Sequence, residues 1–310
     1  MGKSAFLFPG QGAQSVGMGK ALADFGGSSS ELFKSVDQVV GFALTDLMFN
    51  GPIDTLTLTE NTQPALVTTA LAAFLMVTEQ TSFKPDYVAG HSLGEYAAIS
   101  AAGGFSPEEA VRLVRVRGEA MRGAVAPGEG SMAAMLNMDI KAVEDVCRDA
   151  AAMSGGVCVP ANYNTSAQIV ISGHKNAVDQ ALLLAKERGA KRCIPLQVSA
   201  PFHSPLMAPA AEIMAAELAK TEISDLATPL IANVTAQPTS SASEVRSQLV
   251  EQVTGAVRWE ESMLRLLELG VDTFVELGSG KVLSGMMKRI DKSARTITIN
   301  GPDDLEKLNF

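Results

Sequence analysis

Cysteine and histidine are both scarce in this chain, with three of each in 310 residues, and the scarcity removes several classes of protein. Cys147, Cys158 and Cys193 are odd in number and show no C-x-x-C spacing, which supports neither a disulfide framework nor a thiolate metal centre. A reducing cytoplasm is the simplest home for such a chain. H-E-x-x-H is absent, and scattered His91, His174 and His203 give no support for a metal site. No run approaches the ~20 uninterrupted apolar residues of a membrane span. The chain enters a strand at Ala5–Phe8 almost at once, so no signal or transit segment is expected. Phe6 stands where N-myristoylation after Met1-Gly2 needs Ser or Thr. Nucleotide loops fail as well. Gly10-Gln11-Gly12 has Ser15 in place of the third glycine of a dinucleotide fingerprint, and Gly280-Lys281 has Val275 and Val282 at two required P-loop positions. Positive charge is also in deficit: the net charge of −9 argues against nucleic acid or an anionic membrane as the main partner.

What remains is the profile of a soluble globular enzyme, 46% hydrophobic and 19% charged, long enough for one large domain or two ordinary ones. The most informative segment is Val88 to Gly94, an apolar strand running into Gly90-His91-Ser92-Leu93-Gly94 and then an Ala-rich helical stretch, Glu95 to Ala102. This is the pattern of a nucleophile elbow. Glycines two residues before and after Ser92 permit a sharp strand-to-helix turn that projects the hydroxyl, with the next amides pointing where an oxyanion would form.

Elsewhere the first part of the chain alternates strand and helix patterns. Ser28-Ser29-Ser30-Glu31 reads as a capping box ahead of a helix to about Val40, and Thr62-Gln63-Pro64 opens a helix through Gln80. Tyr87 to Ala89 is the strand under the elbow. Ser106-Pro107-Glu108-Glu109 is a second capping box, with proline at the first helical position, for a helix to about Val125. Such alternation predicts an α/β fold with a mostly parallel sheet flanked by helices. Pro127-Gly128-Glu129-Gly130 interrupts it. The next segment reads strand 132–136, helix 140–151, strand 157–161, strand 168–172, helix 176–188 and strand 193–198, a βαββαβ order that predicts an inserted ferredoxin-like subdomain over 126–198. The larger subdomain, 1–125 and 199–310, then resumes with a helix after His203, a strand over Pro229–Val234, two helices within Glu244–Leu269, a strand over Thr273–Leu277, a helix over Val282–Ile290 and a strand over Thr296–Ile299.

A serine hydroxyl needs a neighbouring base. His91 diverges from Ser92 on the elbow and reads as structural, and His174 as an exposed turn residue. Elimination leaves His203, in the constrained loop Ser199-Ala200-Pro201-Phe202-His203-Ser204-Pro205. On the Ser106 helix, Arg112, Arg115, Glu119 and Arg122 share one face, whereas Arg117 falls among Ala110, Leu113, Val114 and Met121 on the apolar face. A buried-face arginine needs an anion. Either a structural salt bridge or a substrate carboxylate gripped bidentately would satisfy it.

With these residues in place the whole chain resembles the malonyl-CoA:acyl carrier protein transacylases of fatty acid synthesis. Phe8-Pro9-Gly10-Gln11-Gly12-Ala13-Gln14, Gly90-His91-Ser92-Leu93-Gly94-Glu95, Arg115-Val116-Arg117-Gly118, Ala161-Asn162-Tyr163-Asn164, Ala200-Pro201-Phe202-His203, Val250-Glu251-Gln252 and Glu276-Leu277-Gly278-Ser279-Gly280-Lys281 match that family's motifs in order. Ser279 replaces the usual proline, a change expected to be neutral. The resemblance implies a hydrolase-like core, Ser92 as acyl carrier, His203 as base, Arg117 as holder of the malonyl carboxylate, and the amides of Gln11 and Leu93 as oxyanion hole. It also implies that Gln252 orients His203, through its backbone carbonyl, and that Gln63, His91 and Asn162 support the site. Malonyl-CoA and acyl carrier protein are the implied partners, and no cofactor is implied. An esterase or thioesterase built on the same elbow is the first alternative and predicts an acid completing a triad. An acyltransferase for methylmalonyl-CoA or acetyl-CoA, and a catalytically silent carrier-protein binding module, are the others.

Overall fold

The computed structural model describes residues 2–198 and 200–308; Ser199, at the expected subdomain boundary, and Met1 lie outside the described residues. Among the described residues ten strands form two sheets: β1 (Lys3–Phe8), β2 (Tyr87–Gly90), β3 (Gly130–Leu136), β4 (Cys158–Thr165), β5 (Gln168–His174), β6 (Arg192–Pro195), β7 (Leu230–Ile231), β8 (Pro238–Thr239), β9 (Val271–Leu277) and β10 (Arg295–Ile299). The larger sheet has the order β10-β9-β1-β2-β7-β8 and is parallel except for the β7–β8 pair at one edge.

Its central strand explains its own burial. Phe6 and Phe8 of β1 enter one apolar cluster and Ala5 and Leu7 the opposite one, so alternate side chains serve both faces and the strand reads as a continuous apolar run. Helices Thr59–Gln80, Gly94–Ala101 and Pro107–Gly123 supply the first cluster, and Trp259–Glu268 and Val282–Ile290 the second. The Thr59–Gln80 helix is buried on nearly every side over its first half even though Thr59, Glu60, Asn61, Thr62 and Gln63 lie there, so these polar side chains need partners within the fold, as when Asn61 Nδ2 donates to Thr55 O and Gln63 Nε2 to Thr59 Oγ1. It begins three residues before the expected Thr62 and carries Pro64 inside it. Pro64 has no N–H for the carbonyl of Glu60, and Arg115 Nη1 donates to that oxygen instead at 2.9 Å.

The smaller sheet is antiparallel, with the order β4-β5-β3-β6. Ala133 and Met135 of β3 pack on one side against helices Ile140–Ser154 and Lys175–Glu187. Met132 and Ala134 face the other way, into the cluster shared with the larger sheet. Beyond the sheet, Val257 N donates to Ala161 O and Tyr163 N to Val257 O, both at 2.9 Å, which fastens β4 to the segment after helix Ala242–Thr254.

Several local expectations change. Ser106 does cap its helix, its Oγ accepting from Glu109 N at 3.1 Å. The Ser28 capping box does not form: the helix runs Gly27–Val40, and Ser28 N and Oγ both donate to the Glu79 carboxylate, a tertiary acceptor that replaces the local one. The expected strand over Pro229–Val234 shrinks to Leu230–Ile231. His174 is half-buried, and its Nδ1 accepts from Val157 N. Ser279 is buried and donates to Ala13 O at 2.7 Å, tying the turn after β9 to the loop after β1.

Candidate active site

The carboxyl ends of β1 and β2 meet the smaller sheet at a cavity of about 110 Å³. Its wall contains Gln11, Gln63, His91, Ser92, Leu93, Arg117, Asn162 and His203, so the fold brings together residues spread over the chain. Gln252 stands directly behind, hydrogen-bonded to three of them or to their neighbours.

Steric demand builds the elbow. A Cβ on Gly90 would lie 2.0 Å from Gly94 O, and one on Gly94 would lie 2.2 Å from Phe8 O. The glycines are thus required by close approach, whereas the positive φ of the turn falls on Ser92 itself, at 52°. A serine held there costs about 1–3 kcal/mol and persists only where its surroundings over-determine it. They do so here. Asn233 Oδ1 accepts from Ser92 N at 2.8 Å, Asn233 Nδ2 donates to Gly90 O at 2.6 Å, and Gln252 Nε2 donates to Ser92 O at 2.8 Å. Gly94→Ala is expected to lower the melting temperature sharply, by an overpacking cost of at least about 1–3 kcal/mol, because backbone rather than a movable side chain occupies the space; an unchanged melting curve would contradict this reading.

Ser92 Oγ lies 2.7 Å from His203 Nε2. His203 Nδ1 lies 2.9 Å from Gln252 O and 3.1 Å from Gly255 O. Carbonyls only accept, so the proton sits on Nδ1 and Nε2 is left as the acceptor for the serine hydroxyl. His203 also has a positive φ, 54°, in a loop pinned by Ser204 Oγ donating to Pro201 O at 2.6 Å. Burial, and secondarily the Arg117 charge, lower its pKa to about 3. The imidazole is therefore neutral, in its base form, wherever the protein is folded near neutrality.

Arg117 is 1% exposed. Its Nη1 donates to Gln63 Oε1 at 2.7 Å, and its Nη2 to Gln252 Oε1 at 2.8 Å and to Ser92 Oγ at 3.1 Å. Among the described residues it makes no ion pair, unlike Arg112, Arg115 and Arg122 of the same helix. The structural salt bridge that the sequence left open is absent there, and a full positive charge faces the cavity beside Ser92. Gln63 is itself oriented by Nε2 donating to Thr59 Oγ1 at 3.0 Å, and Thr59 Oγ1 donates to Gln11 Oε1 at 3.2 Å. His91 is engaged on another side: its Nε2 meets Asn164 Oδ1 at 2.8 Å and its ring lies against Trp259. Asn162 lines the wall from β4. Among the described residues no group of side chains is arranged to hold a metal ion, and no helix is long and apolar enough to cross a membrane.

Sequence reasoning missed Asn233 and the role of Glu95. Glu95 Oε1 accepts from Asn233 N at 2.8 Å and its Oε2 from Gln252 Nε2 at 2.6 Å, and burial raises its pKa to about 7 despite those bonds and the Arg117 charge. Glu95 was visible only as the last residue of the elbow motif. Asn233 carried one signal, a polar side chain closing an apolar strand.

Residues 5–300 match the acyl transferase domain family, and the chain belongs to it. The malonyl CoA-acyl carrier protein transacylase of Bacillus subtilis (strain 168) is 46% identical over 306 residues, covering 99% of this chain and 96% of that protein. The protein of the same name from Staphylococcus aureus (strain MW2) is 38% identical over 309 residues, covering 100% and 99%. The solved acyl-carrier-protein-S-malonyltransferase of Bartonella henselae superposes with a TM-score of 0.95 at 45% identity, over 98% of each chain. A malonyl-transacylase solved in complex with its type II PKS acyl-carrier protein superposes at 0.94 with 37% identity, again over 98% of each chain.

Proposed function

We propose that this protein transfers a malonyl group from malonyl-CoA to the phosphopantetheine thiol of acyl carrier protein, through a malonyl ester on Ser92. The observation that carries the reading is the placement of Ser92 Oγ between a neutral imidazole, at 2.7 Å, and a buried guanidinium that makes no ion pair among the described residues, at 3.1 Å. Close relatives named as transacylases of malonyl CoA and acyl carrier protein support it.

In the first half-reaction His203 Nε2 takes the hydroxyl proton as Ser92 Oγ attacks the thioester carbonyl, and the amides of Gln11 and Leu93 receive the oxyanion. Collapse breaks the carbon–sulfur bond, and the departing CoA thiolate takes the proton back from His203. In the second half the carrier thiol gives its proton to His203 and attacks the ester carbonyl; the bond from that carbon to Ser92 Oγ breaks, and Ser92 Oγ takes the proton back from His203. Arg117 grips the malonyl carboxylate. That pairing also offsets the guanidinium charge that depresses His203, so the proper substrate raises the basicity of the residue that acts on it. Met121, Met132, Leu196, Val198 and Phe202 line the cavity with apolar surface, which keeps water from the ester. An esterase would call for a carboxylate behind His203, where Gln252 and Gly255 present carbonyls.

For the architecture we assign a hydrolase-like core to 1–125 and 199–310 and a ferredoxin-like insert to 126–198. The strand order β4-β5-β3-β6 with two helices on one face supports the insert, and the parallel sheet with an elbow after β2 supports the core. The test is intact-protein mass spectrometry after brief exposure to malonyl-CoA. A malonyl adduct on Ser92 that is discharged by holo acyl carrier protein and not by water is the expected result; discharge by water alone would establish a hydrolase instead, and no adduct would remove the reading.

A further inference from the structure

We propose that Glu95 is a positioning residue that sets selectivity for a carboxylated acyl group by fixing the side-chain amide of Gln252 and, through it, the guanidinium of Arg117. The inference rests on the malonyl-transfer reading and deepens it. Glu95 is 1% exposed, does not line the cavity and does not contact Ser92 Oγ, so it touches no reacting atom.

An amide has one acceptor and one donor end, and the direction in which Gln252 points decides what Arg117 meets. With Nε2 on Ser92 O and Glu95 Oε2, the oxygen Oε1 is left to accept from Arg117 Nη2. Turning the amide over would place an NH2 group against the guanidinium and an oxygen against both Ser92 O and the carboxylate. An ionised Glu95 only accepts, and its other oxygen is already taken by Asn233 N; both of its oxygens therefore hold donors, and the amide has one sustainable orientation. Protonation, or replacement by an amide, puts one donor against another at this junction and releases Gln252. Arg117 then loses a partner that aims it.

The charged and titratable groups facing Glu95 are Arg117 from the Pro107–Gly123 helix and Tyr96 on its own helix, with His203 beyond the Gln252 carbonyl. Arg117 favours the ionised form of Glu95, and burial opposes it with the larger effect, leaving the pKa at about 7. The His203 titration lies far lower, at about 3. Glu95→Gln keeps His203 and its contact with Ser92, so the pH profile of that variant separates a selectivity change set by the carboxylate from one set by the base.

The experiment measures the rate of acylation of Ser92 by malonyl-CoA and, separately, by acetyl-CoA, by rapid quench and intact mass spectrometry, from about pH 5.5 to 8.5. In the wild-type protein the malonyl-to-acetyl ratio is expected to rise with pH through about 7. In Glu95→Gln the ratio should be lower by about tenfold at the alkaline end and flat across the range, and Glu95→Asp, which keeps the charge, should recover part of it. A Glu95→Gln protein with the wild-type ratio, or one that loses both acylations equally, would overturn the proposal. So would a flat wild-type ratio, a measurement that needs no variant to fold. Failure of the underlying reading looks different: the wild-type protein would then take no malonyl group on Ser92 at any pH.

Discussion

Ser92→Ala is expected to abolish acyl-enzyme formation and transfer, and His203→Ala to lower transfer by about four powers of ten or more. Among the described residues no other side chain on the cavity wall pairs a hydroxyl with a base: the Thr59 hydroxyl donates to Gln11, and His91 is engaged by Asn164. Loss of the imidazole leaves the hydroxyl with Arg117, a donor that cannot take its proton. Carrier-protein malonylation followed by gel shift, with circular dichroism to confirm folding, checks both variants; near-normal transfer by either would end the Ser-His assignment. The same histidine predicts a stability effect of definite sign. Its folded pKa lies below the ordinary 6.5, at about 3, so as pH falls below 6.5 the unfolded chain binds this proton first and the folded protein loses stability progressively down to about 3. The melting temperature of His203→Ala should therefore fall less between pH 7 and about 5 than that of the wild type.

The parts of this site that were legible in the sequence are those whose cause is local. The elbow was legible because Gly90 and Gly94 answer a steric demand set within a few residues and by the adjoining strand. Arg117 was legible because helical periodicity places it among apolar neighbours whatever the tertiary partners are, although periodicity could not choose between a salt bridge and a substrate. Asn233 and the junction of Glu95 with Gln252 were not legible, since their partners lie 138 to 160 residues away and only the closed fold brings them together. The misread cap at Ser28 has the same origin: Glu79, from a neighbouring helix, offers a charged acceptor where local rules foresaw Ser and Glu serving each other. The strand over Pro229–Val234 was overextended because its apolar run continues while its backbone does not. At Asn233 the side chain, amide and carbonyl turn inward to Ser92, Gly90, Glu95 and Arg258, and the sheet ladder stops at Ile231.

Arg117→Ala is expected to reverse the acyl preference. In a cavity closed to water, a malonyl carboxylate without its guanidinium is a buried charge without a partner, a loss of about 3 to 5 kcal/mol, or about two to four powers of ten in malonyl acylation. Acetyl-CoA brings no carboxylate and loses nothing of this kind, so acetyl transfer should be unchanged or improved. The cost to the fold is smaller. Removing Arg117 breaks no ion pair among the described residues and leaves Gln63 Oε1 and Gln252 Oε1 without their donor, a penalty of about 1–3 kcal/mol for each that a water entering the vacated space can reduce. Arg117→Lys should restore little. One ammonium cannot hold Gln63 and Gln252 on two separate nitrogens and still offer a planar fork to the substrate. The decisive measurement is the ratio of malonyl to acetyl acylation rates in the three proteins, with melting temperatures beside it. A ratio that falls by orders of magnitude in a folded Arg117→Ala protein, and stays low in Arg117→Lys, is the expected outcome. Parallel loss of both activities with a large drop in melting temperature would instead make Arg117 a structural residue and leave the carboxylate to be recognised elsewhere.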